Sequence, residues 1–139
     1  MTRVGPKAAL PAVLASILAL AGSATAGSLD VAVENGAGSE RLRCVIQLAH
    51  WMSEETPAIA PGGAVDLALE NRPATGEVIM RNSLGRPMAV EGMYCFFGGG
   101  PSPRRAVVAI DAVRRAARPL VIVCRNTSEP SCEVNERAD

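Results

Sequence analysis

Between Arg41 and Met52 the chain alternates with period two, and no other feature constrains its fold as tightly. Leu42, Cys44, Ile46, Leu48, His50 and Met52 fall on one parity, and Arg43, Val45, Gln47, Ala49 and Trp51 on the other. Successive side chains of an extended backbone point to opposite faces, so the stretch predicts a half-buried strand with the even set inward. It carries a cysteine, the only histidine and the only tryptophan of the chain, so site chemistry is expected near it.

The same alternation recurs along the chain in short pieces separated by turn residues. Ser28–Asn35 reads as a first strand running into Asn35-Gly36, and Ala64–Asn71 as another with Val65, Leu67 and Leu69 on one face. Glu77–Arg81 is short. Met88–Phe97 is long, with Met88, Val90, Gly92, Tyr94 and Phe96 on one face and Ala89, Glu91, Met93, Cys95 and Phe97 on the other. Leu120–Cys124 reads as a buried strand and Cys132–Val134 as its short return. Pro61-Gly-Gly63, Arg72–Gly76, Asn82–Pro87 and Gly98–Pro103 supply the turns. The segment Arg104–Arg118 is read as strand and turn, with a short helix over 105–117 as the alternative, because Val107, Ile110, Val113 and Ala117 also fit helical spacing. About seven short strands with such turn spacing predict an all-β fold, a small antiparallel β-sandwich or barrel.

The first 26 residues read differently. Arg3 and Lys7 precede an apolar run, Ala8–Ala21, and Ala24-Thr-Ala26 supplies the small residues of a cleavage site. That is the pattern of a secretory signal peptide, and the run falls short of the roughly 20 residues that span a membrane. Cleavage before Gly27 leaves 113 of the 139 residues, one domain with no inserted membrane segment. The remaining 12 basic and 14 acidic side chains give a net charge of −2, which argues against nucleic acid as a partner.

Four cysteines, Cys44, Cys95, Cys124 and Cys132, in a small exported chain predict two disulfides and a periplasmic or secreted location. Zinc prefers closely paired ligands, and none of these pairs is that close. Cys124–Cys132 with Cys44–Cys95 is the favoured pairing. Chain entropy does not separate it from Cys44–Cys124 with Cys95–Cys132, and Cys95 shares a parity with Met93 and Phe97 rather than with the larger apolar set.

No set of acid, base and nucleophile is visible. One histidine must serve any base role, G-x-S-x-G and C-x-x-C are absent, and the cysteines are expected to be oxidised. His50 is read as an inward residue bonded to backbone. The sequence therefore predicts a non-catalytic binding or accessory protein without a cofactor, acting on another periplasmic protein, with an inhibitor-like insertion of the Gly98–Pro103 loop as a variant. The alternative is a small metal-handling protein binding Cu(I) through His50 and methionines such as Met52. The candidate binding surface comprises Trp51, Glu54, Gly98, Gly99, Gly100, Arg104 and Arg105. Trp51 alternates away from the inner set and is expected to be at least partly exposed; packing at the end of the fold is the competing expectation.

Overall fold

The structure, a computed structural model, describes residues 27–138. The signal-peptide reading of residues 1–26 therefore lies outside the described residues. Nine strands and one short helix follow in order: β1 (Gly27–Asn35), β2 (Leu42–Leu48), β3 (Met52–Glu55), β4 (Ala64–Arg72), β5 (Glu77–Arg81), β6 (Pro87–Phe97), β7 (Arg104–Val107), α1 (Ile110–Arg115), β8 (Leu120–Arg125) and β9 (Ser131–Glu136). The fold is all-β and disulfide-bonded, as the alternation and the cysteine count predict.

The strands form one continuous sheet in the order β3-β2-β6-β5-β4-β1-β8-β9, with β7 also paired to β6. There are nine strands where about seven are expected; the Arg41–Met52 stretch breaks into two, and Arg104–Val107 is the strand of the segment read as strand and turn. Every pair is antiparallel except β1 with β8, which run parallel from Val31↔Leu120 to Asn35↔Cys124. A parallel neighbour needs a crossover rather than a hairpin. Nothing in the local pattern of β8 distinguishes the two arrangements.

Strand β6 is where the sheet turns. One edge of β6 carries β2. Its other edge carries β5 beside Ala89, Met88 and Pro87, and β7 beside Tyr94 to Phe97. Along the β2 edge, Gln47 faces Gly92 but Leu48 faces Val90, so Glu91 is an extra residue. Such a bulge bends a strand and shifts its phase by one residue. Val90 is buried before it, and Met93, Cys95 and Phe97 are buried after it. The uninterrupted alternation read over Met88–Phe97 is therefore corrected: the inward set changes parity at the bulge, and this removes the objection to pairing Cys95 inward.

Inward residues of both ends of the sheet meet in one core, which includes Leu42 and Ile46 of β2, Val31 and Val33 of β1, Phe97 of β6 and Ile122 of β8. The two disulfides are Cys44–Cys95, joining directly opposed residues of β2 and β6, and Cys124–Cys132, joining opposed residues of β8 and β9. The sulfurs of Cys95, Cys124 and Cys132 lie within 4.8 Å of one another, so the two bonds pack side by side in that core. Cross-links between adjacent strands shorten the loops open to the unfolded chain.

The segment 104–118 resolves into both expected forms. Arg104–Val107 pairs with β6, and Ile110–Arg115 is a helix with Val113 buried. Leaning to strand and turn throughout is thus corrected for the second half. Arg114 donates to the Val90 carbonyl and Asn71 to the Ala116 carbonyl, so tertiary hydrogen bonds hold a helix too short to be stable alone.

Asn35 organises the opposite end. It is 1% exposed, and its side-chain amide donates to the carbonyls of Glu40 and Ile59 while its oxygen accepts from the Ala37 N–H. One buried amide thus satisfies three backbone groups of irregular segments, which would otherwise be buried without partners.

Candidate functional site

The alternation through Arg41–Met52 holds for Leu42, Cys44, Ile46 and Leu48, all buried, and then stops. Leu48 faces Met52 across a hairpin whose three connecting residues are Ala49, His50 and Trp51. His50 and Trp51 have φ of 61° and 63°, the only non-glycine residues with positive φ among those described. L-residues avoid this left-handed region, and tight reversals that match the twist of paired strands demand it. The single-strand reading and the inward, backbone-bonded His50 are both corrected. His50 is exposed on the turn, because a chain reversal there brings β3 back along the free edge of β2.

Trp51 is 104% exposed. Of the two expectations for it, exposure holds and packing at the end of the fold does not. The residue offers its whole indole face to solvent.

A second turn stands beside this one. Asn82 ends the β5 side of the loop to β6, is 5% exposed, and its oxygen accepts from the N–H groups of Leu84 and Arg86. Its amide approaches the sulfurs of Met52 at 3.7 Å and Met88 at 3.2 Å. Glu54 of β3 accepts from the Ser83 N–H at 2.6 Å. These contacts pin the β5–β6 turn against β3, next to the tip that carries Trp51. Leu84 on that turn is 72% exposed. Trp51 and Leu84, two of the three large exposed apolar residues described, thus occupy neighbouring turns. Leu84 is absent from the sequence-based candidates, since an isolated leucine in a turn gives no signal until the turn's neighbour is known.

The Cu(I) alternative draws on His50 and Met52. His50 lies on the exposed tip, whereas the Met52 sulfur points at Asn82, is half-buried and packs against the core. The one ligand-like group of histidine, cysteine and carboxylate residues among those described is Cys95, Cys124 and Cys132, and all three are in disulfides.

The remaining candidates lie elsewhere. Gly98 donates its N–H to the Arg41 carbonyl, so the Gly98–Gly100 loop adjoins the start of β2, while Trp51 follows its end. Seven strand residues separate the two, about 20 Å at the usual rise. The candidates therefore divide into two surfaces. Arg104 and Arg105 also diverge. Arg104 faces across the edge and donates to the Ser128 carbonyl, whereas Arg105 lies over the Tyr94 ring at 4.4 Å.

At that second surface, Gly98, Gly99 and Gly100 line an open groove of about 490 Å³ together with Arg41, Arg43 and Phe96. Sequence reasoning misses these last three because the groove forms only when β2 and β6 pair. No protein-family model matches this chain, and no curated protein sequence is significantly similar to it.

Proposed function

We propose that this protein is an exported, non-catalytic binding protein that acts through protein–protein contacts, with Trp51 as the anchor of its interface. The observation that carries this reading is the complete exposure of Trp51 on a hairpin tip built from two consecutive left-handed residues. Exposed indole contributes nothing to the core, and each left-handed non-glycine residue costs ~1–2 kcal/mol. Strained, exposed aromatic residues belong to recognition surfaces, where a large rigid ring gains most when a partner covers it. Leu84 and the Glu54 carboxylate belong to the turn and strand that adjoin the tip and supply the mixed apolar and polar margin of such an interface. Two disulfides fit an oxidising compartment, and residues 1–26 carry the pattern of a cleaved leader, so the partner is sought in the cell envelope or outside it.

A photo-crosslinking amino acid at position 51 tests the reading in the native cell. The expected result is one discrete adduct, identified by mass spectrometry, that is absent when the probe replaces Ala74. That residue lies on the turn at the other end of β5. Equal labelling from both positions, or none from position 51, would remove the interface. The same preparation checks export: the recovered protein should begin at Gly27, and an intact Met1 on a membrane-held species would overturn it.

A further inference from the structure

We propose that the groove at the Arg41 end of β2 binds an acidic peptide segment, with guanidinium groups gripping carboxylates on either side of an apolar residue seated on Phe96. The site is independent of the Trp51 surface, and either could fail without the other.

The register places these groups together. Arg43 of β2 faces Phe96 of β6, and Phe96 in turn faces Arg105 of β7, so one row across three strands reads arginine, phenylalanine, arginine on the outer face. Arg41 shares the parity of Arg43 and stands at the rim, where Gly98 bonds to its carbonyl. Tyr94 meets Phe96 edge to face with ring centroids 5.2 Å apart and lies beneath the Arg105 guanidinium. That packing holds both the ring and the cation in place before any ligand arrives. The open side of Phe96, with Ala58 and Pro103, forms an apolar floor.

The charges at this surface are poorly matched from within. Arg41 has no ion pair among the described residues. Arg43 has only Glu55, at 3.9 Å with both side chains more than half exposed. The other nearby carboxylate, Glu40, is engaged by the Asn126 amide. Planar guanidinium groups at fixed spacing recognise carboxylates by paired hydrogen bonds.

Lining chemistry selects the occupant. Arginine offers donors only, and the groove's side chains include no carboxylate, amide or hydroxyl group. A neutral sugar chain would meet these guanidinium groups through single hydroxyl acceptors, without the charge and paired geometry that a carboxylate brings. A long uniform polyanion would meet the carboxylates of a domain whose mature chain is itself net acidic. A short acidic peptide with an apolar residue satisfies both the rim and the floor.

The probe is a fluorescein-labelled octapeptide of glutamates with a central leucine, titrated with the mature protein and read by fluorescence anisotropy. Binding should weaken as salt rises, and Arg41→Gln with Arg43→Gln should weaken it about tenfold or more. Glu55→Gln frees Arg43 and should tighten it about twofold. Trp51→Ala should leave it unchanged. All these side chains are exposed, and far-UV circular dichroism with a thiol count verifies that each variant is folded and oxidised. If the double variant were unfolded, Arg41→Gln alone gives the reading. No binding by the wild-type protein, equal binding by the arginine variants, or no gain from Glu55→Gln would each overturn the site. Displacement of the peptide by an oligouronate at lower concentration than by unlabelled peptide would overturn the choice of occupant.

Discussion

Replacing a tryptophan by glycine ordinarily removes the largest side chain from a core and costs more than the ~3–5 kcal/mol of a truncation to alanine. At Trp51 the opposite is expected. The side chain is 104% exposed, so no buried apolar area is lost. The backbone sits at φ 63°, where an L-residue is disfavoured by ~1–2 kcal/mol and glycine is not. Glycine brings a larger unfolded-state entropy, which offsets ~0.5–1 kcal/mol of that gain. Trp51→Gly should therefore leave the domain unchanged or more stable by about 0.5–1 kcal/mol, a rise of a few degrees in Tm for a domain this size. Trp51→Ala keeps the strained backbone and should stay within about 0.5 kcal/mol of wild type. Urea unfolding followed by far-UV circular dichroism is the assay, because the variants lack the only tryptophan. In the wild-type protein, the emission of Trp51 should resemble that of tryptophan in water and barely move on unfolding. A loss of 2 kcal/mol or more in Trp51→Gly would show that the ring is packed, and the interface proposal would fall with it.

Three further outcomes test the fold. Asn35→Ala removes the partner of three backbone groups and should cost ~2–4 kcal/mol in chemical denaturation, with Asn35→Asp no substitute because it cannot donate to the Glu40 and Ile59 carbonyls. Non-reducing peptide mapping should link Cys44 to Cys95 and Cys124 to Cys132. Replacing the first pair by alanine, at a sequence separation of 51, should cost about 4 kcal/mol, and replacing the second, at a separation of 8, about 2.5 kcal/mol. Gly92→Ala brings a methyl within 2.7 Å of the Gln47 Oε1; that flexible tip can move, so the cost should stay under ~1 kcal/mol and disappear in the Gly92→Ala/Gln47→Ala double variant.

Alternation and cysteine spacing alone identify the all-β class, most strand positions and the inward parity of β2, because burial on one face of a strand imposes a period of two wherever the strand is straight. The spacing also favours the observed disulfide pairing, which directly opposed cysteines in two strand pairs bear out. The failures share one physical cause. A bulge at Glu91 and a reversal at Ala49–Trp51 each change the phase of a strand, and neither leaves a mark in composition. The turn at His50-Trp51 lacks the glycine or asparagine that normally announces a left-handed backbone, so its sequence carries the pattern of a strand. Likewise, the helix at Ile110–Arg115 draws its stability from hydrogen bonds to distant segments rather than from its own few residues. The candidate surfaces follow the same division. Trp51 and the Gly98 loop stand out as residue types, but Leu84 joins Trp51 only because Asn82 and Glu54 tie two turns together. Arg41, Arg43 and Phe96 come together only through pairing of strands some fifty residues apart in the chain. Side-chain type and local period are properties of a segment; which segments become neighbours is decided by the register and twist of the whole sheet.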